Sequence, residues 1–246
     1  MPLLGFGTWQ LEGEEAQHGT ESALAAGYRH IDTATVYENE REVGTGLRSS
    51  GIPRESVFLT TKLPPHLAGK ELQTLERSLE LLGTDYVDLW LIHWAPDEGV
   101  GADIWHAFAE AVEQGLAHDI GVSNHEVVQI DELAAATGVG PAVNQIEWSP
   151  LLFDRASLEA HRERGVALEG YSGLRGGVLE DATVLEISQR LDRTPAQVVI
   201  RWHLQHGVLV IPKSRDPERI RANALVGDFE LSHADVDALD ALAVDR

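Results

Sequence analysis

The most informative absence in this chain of 246 residues is cysteine. Without a thiol there is no disulfide framework, no thiolate metal site and no cysteine nucleophile. Methionine occurs once, and no apolar run is long enough to span a bilayer. Met1–Gly7 shows no signal-peptide pattern, and no low-complexity segment interrupts the chain. Together these absences predict a soluble cytoplasmic protein.

Lysine is also scarce, with Lys62, Lys70 and Lys213 as its three occurrences. The chain has 19 basic and 40 acidic residues, which gives a formal net charge of −21. A protein must neutralise phosphates to bind nucleic acid or an anionic membrane, so this charge argues against both partners. The acidity has two interpretations that composition leaves open. One is a surface adapted to high salt, where self-repulsion is screened, and the other is an ordinary acidic enzyme from a GC-rich genome.

No composition shift or flexible linker divides the chain, so we expect residues 1–246 to form one domain. Eight short apolar runs alternate with helical patterns at a spacing of roughly thirty residues. The double proline in "KLPPH" is expected to delay the next helix to about Ala68, and Thr194 is a predicted N-cap with Pro195 at the first helical position. Such alternation predicts an α/β protein with a parallel sheet, and eight units favour a closed (β/α)₈ TIM barrel. A G-x-G-x-x-G turn is missing after the first run, which argues against an open dinucleotide-binding fold.

Four polar residues stand at or just beyond the ends of these runs. Asp32 and Tyr37 lie in "RHIDTATVY", Lys62 ends "VFLTTK", and His93 ends "VDLWLIH". The C-terminal ends of barrel strands all open on one face, so we expect the four side chains to meet there. Taken singly, each has a plainer interpretation: a cap, a packing tyrosine, a loop charge or a core histidine. Only the ordered set is informative.

The chemistry of such a meeting follows from the side chains. A free phenol has a pKa of about 10, and a neighbouring ammonium such as Lys62 is expected to lower that of Tyr37. Asp32 can keep the lysine charged and in place, while His93 can hydrogen-bond a substrate oxygen. This combination suits Tyr37 to protonate a developing alkoxide.

Eight stretches of the sequence, in the same order, resemble the aldo-keto reductase superfamily, and in particular its short prokaryotic members related to 2,5-diketo-gluconate reductase. They are "GFGTW", "GYRHIDTATVYENEREVG", "TTKL", "LGTDYVDLWLIHW", "IGVSN", "VNQIEWSPL", "GYSGL" and "IPKSRDPERIRAN". The resemblance covers essentially the whole chain. It implies that Asp32, Tyr37, Lys62 and His93 form a catalytic tetrad. The implied reaction is NADPH-dependent reduction of an aldehyde or ketone to an alcohol, without a metal.

The same resemblance implies a cofactor groove and a substrate pocket. The cofactor contacts are Gly7, Thr8, Trp9, Asp32, Ser123, Asn124, Gln145, Tyr171, Ser172, Leu174, Ile211, Lys213, Ser214, Arg215, Arg219 and Asn223, and the substrate contacts are Trp9, Tyr37, His93 and Trp94. Lys213, Ser214, Arg215 and Arg219 also concentrate phosphate-binding side chains in an acidic protein, which favours NADPH, with NADH as a weaker alternative. We expect a monomer or weak homodimer that acts on a small carbonyl compound.

Two other functions remain as alternatives. The first is a redox sensor that binds NADPH without turnover, although a sensor need not keep all four tetrad residues. The second is a metal-dependent barrel hydrolase. A metal site of this kind would draw on histidines of this chain such as His18, His30, His93 and His106. None of these four forms an H-x-H or H-x-x-x-H pair, which argues against a metal site.

The sequence departs from the family pattern at several positions. Ala222 stands where a Glu is usual before Asn223, which puts one adenine contact in doubt, and His125 replaces a frequent Phe. Gly170 and Gly173 replace a common Ala and Pro, so we expect a looser loop after the seventh strand.

The ends are also shorter than is usual in the family, and the loop "WAPDEGVGAD" is brief. The N-terminal hairpin and the C-terminal substrate segment are therefore expected to be shortened or missing. We expect an open, shallow site walled by Trp9, Trp94 and Trp148, with a broad substrate range.

Overall fold

The barrel predicted from the sequence is present. A computed structural model describes residues 1–96 and 101–243, and eight strands in these ranges pair side by side in chain order. Every pairing is parallel. A parallel bridge between Leu4 and Val210 joins the last strand to the chain before the first, and the Gly5 amide donates to the Val210 carbonyl at 2.9 Å. The sheet therefore closes, which confirms the (β/α)₈ prediction.

Strands and helices alternate along the described chain. The strands β1 to β8 are Phe6–Gly7, His30–Asp32, Phe58–Leu63, Val87–Ile92, Ala117–Ser123, Val143–Glu147, Ala167–Tyr171 and Leu209–Val210. The helices α1 to α10 are Glu14–Ala25, Glu40–Ser49, Glu71–Leu82, Ala102–Glu113, Val127–Thr137, Arg155–Glu163, Ala182–Leu191, Pro195–Gln205, Pro217–Ala224 and His233–Asp240.

Local sequence signals explain where several helices begin. Thr194 caps α8, with the Gln197 amide donating to its hydroxyl, and Pro195 takes the first helical position, as predicted. Asp154 accepts from the Ala156 amide at the start of α6. Helix α3 begins three residues later than the expected Ala68, because the short 3₁₀ turn Pro65–Leu67 comes first.

Aromatic side chains fill the layer between the strands and the outer helices. Trp90 on β4 stacks on Phe108 of α4 with ring centroids 3.7 Å apart, and Trp105 lies beside Phe108. Trp202 of α8 packs edge-on against Phe153 on the other side of the barrel. Burying each ring removes a large apolar area from water, and this stabilises the contact between helices and barrel.

Strand register brings the polar strand ends to one rim. Asp32 pairs with Thr60, two residues before Lys62, and the His93 amide donates to the Leu63 carbonyl at 2.9 Å. Ser123 pairs with Gln145 across β5 and β6. In a parallel barrel the C-terminal strand ends share a face, so these side chains converge although they are far apart in sequence.

Among the described residues, no helix is both long and apolar enough to cross a membrane. Residues 97–100 of the expected brief loop lie outside the described ranges. So do residues 244–246 at the end of the chain.

Candidate active site

The four predicted tetrad residues meet at the rim. The ammonium of Lys62 lies 2.5 Å from Oδ1 of Asp32 and donates to the Thr33 carbonyl at 2.9 Å. It also approaches the Tyr37 hydroxyl, with Nζ and Oη 3.4 Å apart. The rings of Tyr37 and His93 meet edge to face, with centroids 5.6 Å apart. The structure therefore brings all four side chains together, with Asp32, Lys62 and Tyr37 joined by polar contacts and His93 packed against the Tyr37 ring.

The turn that carries Tyr37 is fixed to the neighbouring strand. Asp32 is the last residue of β2, and the chain then forms the 3₁₀ turn Thr35–Tyr37. The hydroxyl of Thr35 donates to the Lys62 carbonyl at 2.8 Å, which ties this turn to β3. Tyr37 and Lys62 are thus held by the same local structure, and their separation does not depend on a flexible loop.

Lys62 is fully buried, and its charge is maintained by its neighbours. Burial by itself lowers the pKa of Lys62, but Asp32 and then Tyr37 favour the ammonium more strongly. The result is a pKa above the usual lysine value. Lys62 is therefore an ammonium at neutral pH.

Tyr37 differs from the sequence-based expectation. Burial raises the pKa of its phenol, and this outweighs the opposing effect of Lys62. The expected lowering of the pKa is therefore wrong for this structure, because removal from water disfavours the phenolate more than one ammonium 3.4 Å away favours it. At neutral pH the phenol carries its proton and can act as a donor.

His93 is a neutral imidazole in this site. Burial, followed by the charge of Lys62, lowers its pKa to about 3. Its Nδ1 is buried with no hydrogen-bond partner among the described residues, so a proton there would lack an acceptor. The tautomer with the proton on Nε2 is favoured, and this nitrogen is then a donor for an oxygen in the groove that His93 lines.

A groove of about 1150 Å³ runs from the tetrad across the rim of the barrel. Asp32, Tyr37 and His93 line it, while Lys62 lies beneath with no exposed surface. The predicted cofactor and substrate residues on its walls are Gly7, Trp9, Trp94, Ser123, Asn124, Gln145, Tyr171, Ser172, Leu174, Ile211, Lys213, Ser214, Arg219 and Asn223. The structure therefore gathers most of the predicted set at one surface.

Three polar side chains beside the tetrad form a fixed cluster. Tyr171 donates its hydroxyl proton to Oδ1 of Asn124 at 2.8 Å. The Asn124 amide donates to the Ser123 hydroxyl at 3.0 Å and more weakly to the His93 carbonyl at 3.3 Å. Ser123 in turn donates to the Gln145 carbonyl at 2.7 Å. The cluster joins the ends of β4, β5, β6 and β7.

Gln145 uses its amide nitrogen entirely within the protein. Nε2 donates to Oδ2 of Asp32 at 2.9 Å and to Oε2 of Glu169 at 2.7 Å. A primary amide has two N–H donors, so both are occupied. The carbonyl oxygen Oε1 is then the atom that remains for a ligand in the groove.

The far end of the groove is cationic. Lys213, Ser214 and Arg219 line it after β8, and the Arg219 side chain is 79% exposed. Partial burial lowers the pKa of Lys213, and the charges of Arg215 and Arg175 lower it further. Like charges held together in a strongly acidic protein make this end suited to an anion.

Two predicted cofactor residues do not line the groove. Thr8 is fully buried, and its hydroxyl donates to the Asp32 carbonyl at 3.0 Å, so it supports the tetrad strand from below. Arg215 turns outward to Glu15, with Nε and Oε2 2.9 Å apart, and also donates to the Gln10 carbonyl. Its charge still contributes to the cationic end at longer range.

Trp148 does not wall the substrate site. Its side chain is 2% exposed and packs edge-on against Phe153 in the core. Trp9 and Trp94 are 44% and 51% exposed and do line the groove, as expected. The guanidinium of Arg175 lies 5.2 Å from the Trp9 ring centroid, and this contact links the loop after β7 to the loop after β1.

Comparison with known proteins decides the family. The sequence profile of the Aldo/keto reductase family matches residues 3–244. The chain belongs to the aldo/keto reductase family. It is 42% identical to the glyoxal reductase of Bacillus subtilis over 250 residues, which covers 100% of this chain and 90% of the relative.

Solved structures of the family agree. The aldo/keto reductase of Brucella melitensis superposes with a TM-score of 0.93 at 42% identity, covering 98% of this chain and 95% of that one. The Bombyx mori aldo-keto reductase, solved in complex with NADP, gives a TM-score of 0.91 at 30% identity, with 98% and 89% covered. The chain therefore shares the fold of these family members, and its relatives support an oxidoreductase activity.

Some residues at the groove of this family member were not predicted from the sequence. Glu147 and Glu180 line it, and so do Thr194, which caps α8, and the first two residues of that helix, Pro195 and Ala196. The capping pattern around Pro195 predicted a helix start, but no local signal placed that start at the groove. Glu169 was missed as well, because a lone Glu in the apolar run of β7 has no distinguishing spacing.

The looser loop expected from Gly170 and Gly173 stays a prediction, and the structure shows both glycines packed against the buried His203. A Cβ at Gly173 would lie 3.0 Å from the ring of the buried His203, and one at Gly170 would lie 3.3 Å from it. The imidazole of His203 therefore occupies the space that larger residues would need. The two glycines and the histidine form one packed unit.

Proposed function

We propose that the protein is an NADPH-dependent reductase that converts aldehydes and ketones to alcohols, with Tyr37 as the proton donor. The observation that carries the proposal is the continuous contact Asp32–Lys62–Tyr37, with Lys62 0% exposed, at one end of a groove of about 1150 Å³. A buried, charged lysine beside a protonated phenol is a specific arrangement for proton transfer.

Each side chain has a defined role in this proposal. Nε2–H of His93 donates to the carbonyl oxygen and orients it. Tyr37 gives its proton to that oxygen as negative charge develops there. Lys62 stabilises the phenolate that remains, and Asp32 holds Lys62 in place. The nicotinamide of NADPH supplies the hydride when it is bound.

The groove fits NADPH at both of its ends. Near the tetrad, Oε1 of Gln145 is free to accept from a carboxamide, and Ser123 and Asn124 offer further polar atoms. At the far end, Lys213 and Arg219 provide the charge that a phosphate needs. This cationic end supports NADPH as the preferred cofactor and NADH as a weaker one.

The substrate side of the groove is apolar and open. Trp9, Trp94 and Val36 line it, and each is more than 40% exposed. Exposed aromatic walls accept many shapes because their contacts are not directional. A broad range of carbonyl compounds follows, including small dicarbonyl compounds such as those named for the Bacillus subtilis relative.

The setting of the enzyme is part of the same proposal. The proposed compartment is the cytoplasm, and the protein would act there as a monomer or weak homodimer. The net charge of −21 supports activity that is retained at high salt. Activity that is best in dilute buffer and falls steeply with added salt would count against this adaptation.

The decisive experiment compares the wild type with Tyr37→Phe. NADPH oxidation is followed with glyoxal, methylglyoxal and a bulky aromatic aldehyde, while NADPH binding is measured by quenching of intrinsic fluorescence. We expect turnover of all three by the wild type and a loss of about 10³-fold in kcat for the variant, with cofactor affinity retained. Near-normal kcat in the variant would show that Tyr37 is not the donor. Tight NADPH binding by a wild type without turnover would favour the redox-sensor alternative.

A further inference from the structure

Glu169 is a buried carboxyl group in the barrel interior that the reaction described above does not use. It lies in the middle of β7, has no exposed surface, and its Oε2 accepts from Nε2 of Gln145 at 2.7 Å. Its Oε1 has no hydrogen-bond partner among the described residues and lies 3.6 Å from Nε2 of His30. Within the described ranges, the strong contact of Glu169 is therefore the one to Gln145.

The contact decides which end of the Gln145 amide faces the groove. Nε2 donates to Asp32 as well, at 2.9 Å, so two carboxyl groups hold the two N–H donors on the inner side. A rotated amide would place its oxygen against the Asp32 carboxylate, which is repulsive. The oxygen Oε1 is consequently presented to the ligand as an acceptor.

We propose that Glu169 is a positioning residue for nicotinamide binding, which acts by holding the Gln145 amide so that its oxygen receives the carboxamide N–H of the cofactor. The inference rests on the proposed NADPH-dependent function. Without Glu169, one N–H of Gln145 is left buried without an acceptor, and the contact to Asp32 alone holds the amide. The less firmly held amide weakens the contact to the carboxamide, while the phosphate end of the groove is unaffected.

Three ligands separate this role from a purely structural one. NADP⁺ carries the carboxamide. Its 3-acetylpyridine analogue has a methyl group in place of the amide nitrogen and cannot donate to Gln145. The third ligand, 2′-phospho-ADP-ribose, lacks the nicotinamide and reports on the remainder of the groove.

The test measures the Kd of each ligand by calorimetry for the wild type, Glu169→Met and Glu169→Gln. We expect Glu169→Met to weaken NADP⁺ binding about tenfold, while binding of the acetylpyridine analogue and of 2′-phospho-ADP-ribose stays within about twofold. Glu169→Gln keeps an oxygen acceptor at the same place and should restore NADP⁺ binding. Burial raises the pKa of Glu169, so the neutral amide is also matched to it in charge.

Glu40→Met is the matched control. Glu40 is another buried carboxyl group, but it accepts from Thr61 at 2.6 Å and from Ser78 at 3.1 Å, outside the Gln145 contact. Its loss is expected to lower the melting temperature without changing the ratio of NADP⁺ to analogue affinity. Glu169→Thr is prepared as a second variant without the carboxyl group. If one of the two variants does not fold, the Kd values of the other still test the proposal.

The outcomes are distinct. Equal weakening of NADP⁺ and the analogue, or an unchanged Kd for NADP⁺, overturns the role of Glu169. So does a Glu169→Gln variant that behaves like Glu169→Met. A wild type that binds none of the three ligands overturns the proposed function itself. Selective loss in the Met and Thr variants with rescue by Gln supports the proposal.

Discussion

The two ends of the groove handle charge in opposite ways. At the tetrad, Lys62 and Asp32 are almost completely buried, in contact at 2.5 Å, and fixed by further hydrogen bonds to Thr33 and Gln145. At the far end, the Arg219 side chain is 79% exposed, and its one ion pair within the part of the chain that the structure describes is to Asp216, at 3.5 Å. Water is excluded from the Asp32–Lys62 pair, whereas Arg219 at the cationic end of the groove is solvated.

This difference is physical in origin. Charges in a dry interior interact strongly and are costly to leave unpaired, so a buried pair must be complete and rigid. Charges in water are screened over a Debye length of about 8 Å at physiological salt, so they attract a phosphate without a fixed geometry. The reacting end therefore needs a precise arrangement, whereas the binding end needs only local charge.

Replacing Lys62 by Met tests the buried end and should have the largest effect. The variant leaves Asp32 charged and buried without its partner, which costs about 3–5 kcal/mol of unfolding free energy. It also removes the cation beside Tyr37, so kcat should fall by at least about 10²-fold. Denaturant unfolding and steady-state kinetics measure the two effects.

The double variant Lys62→Met/Asp32→Asn serves as its control. Removing the carboxylate charge as well should recover part of the lost stability but none of the activity. Comparable instability in the single and double variants would mean that an unpaired charge is not the cause. The description of this end as an obligatory ion pair would then be wrong.

The second-largest effect is expected from acid, which should lower the unfolding free energy through buried histidines. Burial lowers the pKa of His203 to about 4, whereas an unfolded histidine titrates near ~6.5. Between these values the unfolded chain binds the proton and the native ring does not, so stability is complete above about pH 6.5 and is lost as pH falls toward 4. We expect His203 to account for about 2 kcal/mol of lost unfolding free energy by about pH 4.5.

The measurement compares the unfolding free energy at neutral pH and near pH 4.5 for the wild type and His203→Gln. The variant should lose less stability on acidification, although burial lowers the pKa of His30 and His93 as well and part of the effect remains. His18→Asn, which changes an exposed histidine, should behave like the wild type. An identical pH response in wild type and His203→Gln would contradict the assignment.

Arg219→Ala tests the exposed end and should have the smallest effect. Loss of one solvent-exposed cation is expected to raise KM for NADPH by about tenfold and to leave KM for NADH and the melting temperature nearly unchanged. The difference between wild type and variant should shrink as salt is added. An equal rise in KM for NADPH and for NADH would contradict the assignment of Arg219 to a phosphate contact.

Much of this molecule was accessible from its sequence because the signals were local or ordered along the chain. The strand runs and the cap at Thr194 predicted the elements, and the order of Asp32, Tyr37, Lys62 and His93 predicted the tetrad. The contacts of Glu169 and His203 were not accessible. Both depend on side chains that meet across the barrel from distant segments, and neither has a periodic or motif signal.

The sequence by itself determined the alternation of strands and helices, the family and the four polar residues that meet at the rim, since these follow from residue type and spacing. The tertiary structure alone decided the protonation and orientation of those groups. Burial and exact distances raised the pKa of Tyr37 instead of lowering it, turned Arg215 away from the groove, and fixed the Gln145 amide between two carboxyl groups. Desolvation and contact geometry arise only once distant segments are packed together, so no linear pattern specifies them.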